Sequence, residues 1–156
     1  TLRYVREGRN IVVLRTFSKI HGLASLRVGY GIAPRGLIDV LQKTRQPFNV
    51  NAIAQAGALA ALSDQAHQRK TKEVVDAGRA YLEEHFVEMK LGFVPGAANF
   101  VMVNVRDGAA VFKKLLARKI IVRPLKGYNL PEWVRITVGT MEQNKKCIAA
   151  LKEVLS

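Results

Sequence analysis

Between Ile11 and Ala33 the chain reads as strand, polar turn, strand, with a lysine in the turn. Ile11-Val12-Val13-Leu14 is wholly apolar and mostly β-branched, the composition of a strand. The turn that follows carries Thr16, Ser18 and Lys19. Leu26 to Ala33 then reads as a buried strand, in which Gly29 and Gly31 admit a close backbone approach. An unpaired ammonium between two buried runs is costly, so such a lysine is neutralised, paired or covalently used. Thr16 and Ser18 precede Lys19 by three residues and one, and Arg27 follows it by eight. Two hydroxyls and a guanidinium fork can together surround a phosphate. A bare Ser-Lys pair reads as a surface loop; the order of the whole stretch carries the functional reading.

The run Arg15-Thr16-Phe17-Ser18-Lys19, then Gly22-Leu23-Ala24 and Leu26-Arg27-Val28-Gly29-Tyr30, resembles the cofactor-lysine segment of fold-type I pyridoxal-phosphate enzymes, and within them the histidinol-phosphate aminotransferase family. The resemblance implies that Lys19 binds the aldehyde of pyridoxal 5′-phosphate (PLP) covalently. It implies that Thr16, Ser18 and Arg27 hold the cofactor phosphate. An amine nucleophile in a site of low polarity is suited to that chemistry. It further implies an α/β fold, the C-terminal portion of a fold-type I PLP-dependent transferase: the end of a large domain plus a small α/β domain. The carboxylate, stacking aromatic and phosphate cradle of the family precede the lysine. Only eighteen residues precede Lys19 here, none resembling them, so the chain reads as a fragment inactive by itself.

Residues 1–47 are expected to be the last piece of the large PLP-binding domain. Residues 48–90 are expected to be a helical connection, and 91–156 the small domain. Thr1 to Asn10 reads as a loop or fraying helix. Pro34 opens a helix to about Thr44. Asn51 is a candidate cap for an alanine-rich helix, Ala52 to Leu62, apolar on nearly all sides and therefore buried. From Gln65 to about Lys90 a long helix carries a core stripe of Val75, Gly78, Leu82, Phe86 and Met89. Gly92 to Gly96 reads as a turn, and Asn99 to Val105 as a strand. A helix runs from Asp107-Gly108 to about Arg118, a short strand from Ile120 to Arg123, a loop from Pro124 to Pro131, and a strand from Trp133 to Val138. Thr140 and Gln143 form a capping box for a last helix, Met141 to Leu155, with Cys147 in its core face.

Arg135 interrupts an apolar strand and needs an anionic partner. By resemblance to the Arg-Ile-Thr-Val-Gly segment of the family it grips an anionic end of the substrate; a structural ion pair is the alternative. Arg123 ends a strand before a proline. The resemblance gives it the substrate phosphate, whereas the residues alone fit a solvated strand end equally well. Tyr128 either lines the same mouth or packs. His21 is not needed as a base, because a released lysine amine can move the proton itself.

The net charge of +13 would suit a nucleic-acid binder, but the basic residues are scattered and no aromatics interleave with them. No apolar run approaches a membrane span of about 20 residues. One cysteine provides neither a disulfide nor metal-ligand spacing, so no metal is expected. A cytoplasmic setting is the default, and the resemblance implies a homodimer acting on a small molecule. The implied activity is histidinol-phosphate transamination with 2-oxoglutarate and glutamate as the amino partners, in histidine biosynthesis. An aromatic-amino-acid aminotransferase, a threonine-phosphate decarboxylase-like enzyme and a non-catalytic interaction domain derived from this fold remain alternatives.

Overall fold

The computed structural model describes residues 1–156. The chain separates into two compact units, Thr1–Thr71 and Lys72–Ser156.

In the first unit, α1 (Leu2–Arg6) precedes β1 (Val13–Thr16) and β2 (Gly29–Ile32), which pair antiparallel as a two-stranded sheet. A 3₁₀ turn, Ala24–Leu26, lies between them, and α2 (Arg35–Thr44) and α3 (Ala52–Ser63) follow. Val13 pairs with Ile32 and Thr16 with Gly29. That register needs a glycine at 29, since a Cβ there would lie 2.6 Å from the Arg15 carbonyl oxygen. The expected burial is not found. Leu14 is 74% exposed, and of this unit's strands and turn only Val13, Phe17 and Val28 are buried. A two-stranded ribbon has little to bury its faces against, and here Phe17 and Val28 pack on Ala54 and Ala58 of α3. The largely apolar α3, expected to be buried, likewise buries only Ala54 and Ala58. Its cap is as expected: the Asn51 side chain accepts from the Ala54 N–H at 2.8 Å.

The helix α4 (Gln65–Glu88) runs across the boundary between the units, and of its stripe Gly78, Leu82 and Phe86 are fully buried. Lys72 and Arg79 flank Asp76 on this helix and hold its carboxyl below the usual range. The second unit is built on an antiparallel sheet of order β3-β4-β6-β5. The strands are β3 (Phe93–Val94), β4 (Phe100–Asn104), β5 (Arg123–Leu125) and β6 (Leu130–Thr137). With α5 (Gly108–Ala117) after β4 and α6 (Met141–Leu155) after β6, they give the small α/β layer that the residue pattern predicts. Val101, Val103, Val134 and Ile136 point inward and meet Leu82 and Phe86 of α4, Val111 and Leu115 of α5, and Ile148 and Leu151 of α6. The other face of β4 and β6, with Phe100, Met102 and Arg135, is half-exposed.

Several expectations shift, among them the loop from Pro124 to Pro131, which β5, a 3₁₀ turn at Lys126–Tyr128 and the start of β6 at Leu130 take up, leaving Trp133 inside the strand. Phe93-Val94 is not a plain turn but a short edge strand on Val103 and Met102. Strand pairing at β5 begins at Arg123, where the sequence suggests Ile120 to Arg123. The Ile120 N–H is instead drawn to the Leu115 carbonyl at 3.0 Å, which holds this segment to the end of α5. The capping box is present: Thr140 Oγ1 accepts from the Gln143 N–H, and the Gln143 side chain accepts from the Thr140 N–H.

Candidate active site

Two groups of the expected residues are present, one in each unit. In the first unit the ladder of β1 and β2 extends one step past Thr16, with the Phe17 N–H donating to the Val28 carbonyl at 3.2 Å. The turn closes through Gly22 N–H to the Lys19 carbonyl at 2.9 Å and Leu23 N–H to the Phe17 carbonyl at 3.0 Å. Lys19 therefore sits at the tip of a turn hydrogen-bonded at its base. It is exposed, whereas the sequence places it between buried runs; the ribbon that carries it is itself largely open.

Thr16 Oγ1 accepts from the Ser18 N–H at 3.1 Å and donates to Ser18 Oγ at 2.9 Å. The Ser18 hydroxyl proton thus remains free for an outside acceptor. Arg27 adopts the left-handed region, φ 52°, uncommon for a residue with a side chain. Its Nη1 donates to the Ala24 carbonyl at 2.7 Å across the 3₁₀ turn, leaving its other donors available. Arg27 lies two residues before Gly29, the cross-strand partner of Thr16. His21 stacks on Phe17 with ring centroids 4.8 Å apart, and its buried Nδ1 has no partner.

In the second unit Arg123 of β5 is the direct cross-strand partner of Arg135 of β6. Like charges directly opposite on a sheet destabilise it. No carboxylate lies within ion-pair distance of either; their neighbours are aromatic. The Arg135 guanidinium carbon lies over the Phe100 ring, 5.0 Å from its centroid, and that of Arg123 lies 6.0 Å from the Tyr128 centroid. Arg135 Nε is buried without a hydrogen-bond partner. A buried donor left unsatisfied costs about 1–3 kcal/mol, and an anion placed between the two guanidinium groups would relieve both penalties. No acid of this chain pairs with Arg135.

The pairing of the two arginines and the ring beneath Arg135 are not legible in the sequence. They depend on which residue of β5 meets which residue of β6, and a Phe at the start of a strand carries no signal of its own. No group of three His, Cys, Asp or Glu side chains is placed to hold a metal ion.

Residues 2–151 match the family of class I and II aminotransferases. The chain is 54% identical over 155 residues to a histidinol-phosphate aminotransferase of Akkermansia muciniphila, covering 99% of this chain and 43% of that protein. It is 48% identical over 158 residues to that of Moorella thermoacetica, covering 100% of this chain and 41% of that protein. Among solved structures, the histidinol-phosphate aminotransferase of Sinorhizobium meliloti, in complex with pyridoxal-5′-phosphate, superposes with a TM-score of 0.83 at 29% identity. That match takes in 94% of this chain and 41% of the other. The chain thus spans less than half the length of the relatives it matches. With the lysine turn and the sheet of the second unit both present, the chain belongs to the class I and II aminotransferase family.

Proposed function

We propose that this chain carries the cofactor lysine and the substrate arginines of a PLP-dependent histidinol-phosphate aminotransferase. The observation that carries the substrate reading is the cross-strand pair of Arg123 and Arg135, with Arg135 Nε buried and unpaired. Two guanidinium groups suit a phosphate monoester, whose charge near neutral pH is close to −2, better than a single carboxylate. The names of the relatives point the same way.

The residues of the lysine turn fit the cofactor. The free Ser18 hydroxyl and the uncommitted donors of Arg27 are groups that would hold the cofactor phosphate. Thr16 supports it by fixing Ser18. When bound, PLP supplies the electron sink for chemistry at the substrate Cα. Lys19 Nζ would hold the cofactor and, as a free amine, would move the proton to and from that carbon. Arg123 and Arg135 orient the substrate by its anionic end, which converts a bimolecular encounter into a positioned one. The complete protein is proposed to act as a homodimer. No helix is long and apolar enough to cross a membrane.

The test uses the protein encoded by the complete reading frame that contains this chain. Supplied with PLP, histidinol phosphate and 2-oxoglutarate, it should form glutamate, and Lys19→Ala should abolish turnover while leaving the fold intact. Borohydride reduction and peptide mapping should place the pyridoxyl label on Lys19. A label on another lysine, or turnover by Lys19→Ala, would sink the assignment.

A further inference from the structure

We infer that Phe100 is a positioning residue for Arg135: its ring aims the guanidinium while leaving the in-plane hydrogen-bond donors free for an anion. The inference rests on the reading of Arg135 as an anion-binding residue and goes beyond it. Met102 is the direct cross-strand partner of Arg135, and Phe100 is the partner of Thr137. Phe100 is thus the diagonal neighbour of Arg135 on the same face, within reach of long and aromatic side chains. The Arg135 guanidinium carbon lies over its ring at 5.0 Å from the centroid. An arginine is ordinarily fixed by a carboxylate, which neutralises it and occupies its donors. A ring attracts the cation through its quadrupole and competes for none of the N–H groups.

That difference matters because Arg123 stands directly opposite. Without an anion present, the repulsion between the two cations pushes the guanidinium groups apart. A face contact with Phe100 opposes that displacement and keeps Arg135 poised, with its Nε buried and unpaired. An anion then meets a guanidinium already in place, so less conformational freedom is lost on binding. A merely structural Phe100 would affect stability and leave anion affinity unchanged.

The experiment titrates inorganic phosphate into the full chain and follows the arginine Nε–Hε cross-peaks by NMR, with Arg135→Gln assigning the Arg135 signal. The Arg135 signal should be displaced by the ring current of Phe100 and should shift further with phosphate. Phe100→Leu, which keeps apolar bulk and loses the ring, should weaken phosphate about fivefold, and Phe100→Met should behave alike. Phe100→Tyr should restore affinity to within about twofold, since it keeps the π face. Folding of each variant is read from its amide spectrum, so if the leucine variant does not fold the methionine variant decides. Phosphate affinity unchanged in the folded leucine or methionine variant would overturn the inference, as would an Arg135 signal that does not shift with phosphate. If phosphate binds as expected but the complete protein does not transaminate histidinol phosphate, the inference stands and only the substrate reading fails.

Discussion

Asn144 satisfies both polar groups of Gly139 with one side chain. Its amide oxygen accepts from the Gly139 N–H at 2.9 Å, and its amide nitrogen donates to the Gly139 carbonyl at 3.2 Å. Asn144 is 2% exposed and is the buried polar residue of the core. The backbone of Gly139, two residues past the end of β6, thereby ends on α6 instead of on a further strand. Asn144→Ala should destabilise the protein by about 1–3 kcal/mol, because it removes a buried donor and acceptor from partners that have no other. Asn144→Asp should fare no better, since a carboxylate oxygen would face the Gly139 carbonyl. Urea unfolding curves with unchanged slope and lowered midpoint would show it.

Gly78 leaves the room that this clasp occupies. A Cβ at 78 would lie 2.5 Å from Asn144 Nδ2 and 2.6 Å from Val138 Cγ1. Helix propensity favours alanine over glycine by about 1 kcal/mol, but overpacking of a tight core costs about 1–3 kcal/mol. Gly78→Ala should therefore lower the melting temperature. Gly36→Ala in α2, where nothing lies within 4 Å of the new methyl, should leave it equal or raise it.

Arg27 is expected to act through cofactor retention. Charge-assisted hydrogen bonds contribute about 1.5–3 kcal/mol each, so Arg27→Ala in the complete protein should raise the PLP dissociation constant about ten- to a hundredfold. Fluorescence titration of the apoprotein measures this. An unchanged constant would leave Arg27 as the residue that closes the 3₁₀ turn on Ala24 and nothing more.

Cys147 links pH to stability on the alkaline side. Burial pushes its thiol up to about 11. An unfolded cysteine ionises at about 8.5, so above that pH the unfolded chain loses a proton that the folded chain keeps. The stabilisation is complete below the unfolded pKa and is lost as pH rises through the folded one. Stability should thus fall between about pH 8.5 and 11, by as much as about 3 kcal/mol from this group. Cys147→Ala should flatten that limb of the profile. At pH 8 the thiol should react with alkylating reagents only as fast as the second unit opens.

The elements written in local chemistry were determined by the sequence alone. The Thr140 and Gln143 box, the Asn51 cap, the stripe of Leu82 and Phe86, and the lysine turn with its hydroxyls are each set by residues a few positions apart. Backbone donors at helix ends and the 3.6-residue period act over one or two turns, so they can be read without the fold. The tertiary structure decided what depends on partners distant in the chain. Within this chain, which spans less than half the length of its relatives, Leu14 and Ile53 are exposed, because burial requires a second surface and not just an oily side chain. The tertiary structure moved the start of β5 from Ile120 to Arg123, because the end of α5 holds the Ile120 N–H. It set Arg123 against Arg135 and Phe100 beneath Arg135, because strand register is chosen by whole faces packing at once, and a one-residue slip would have turned those side chains to the other side.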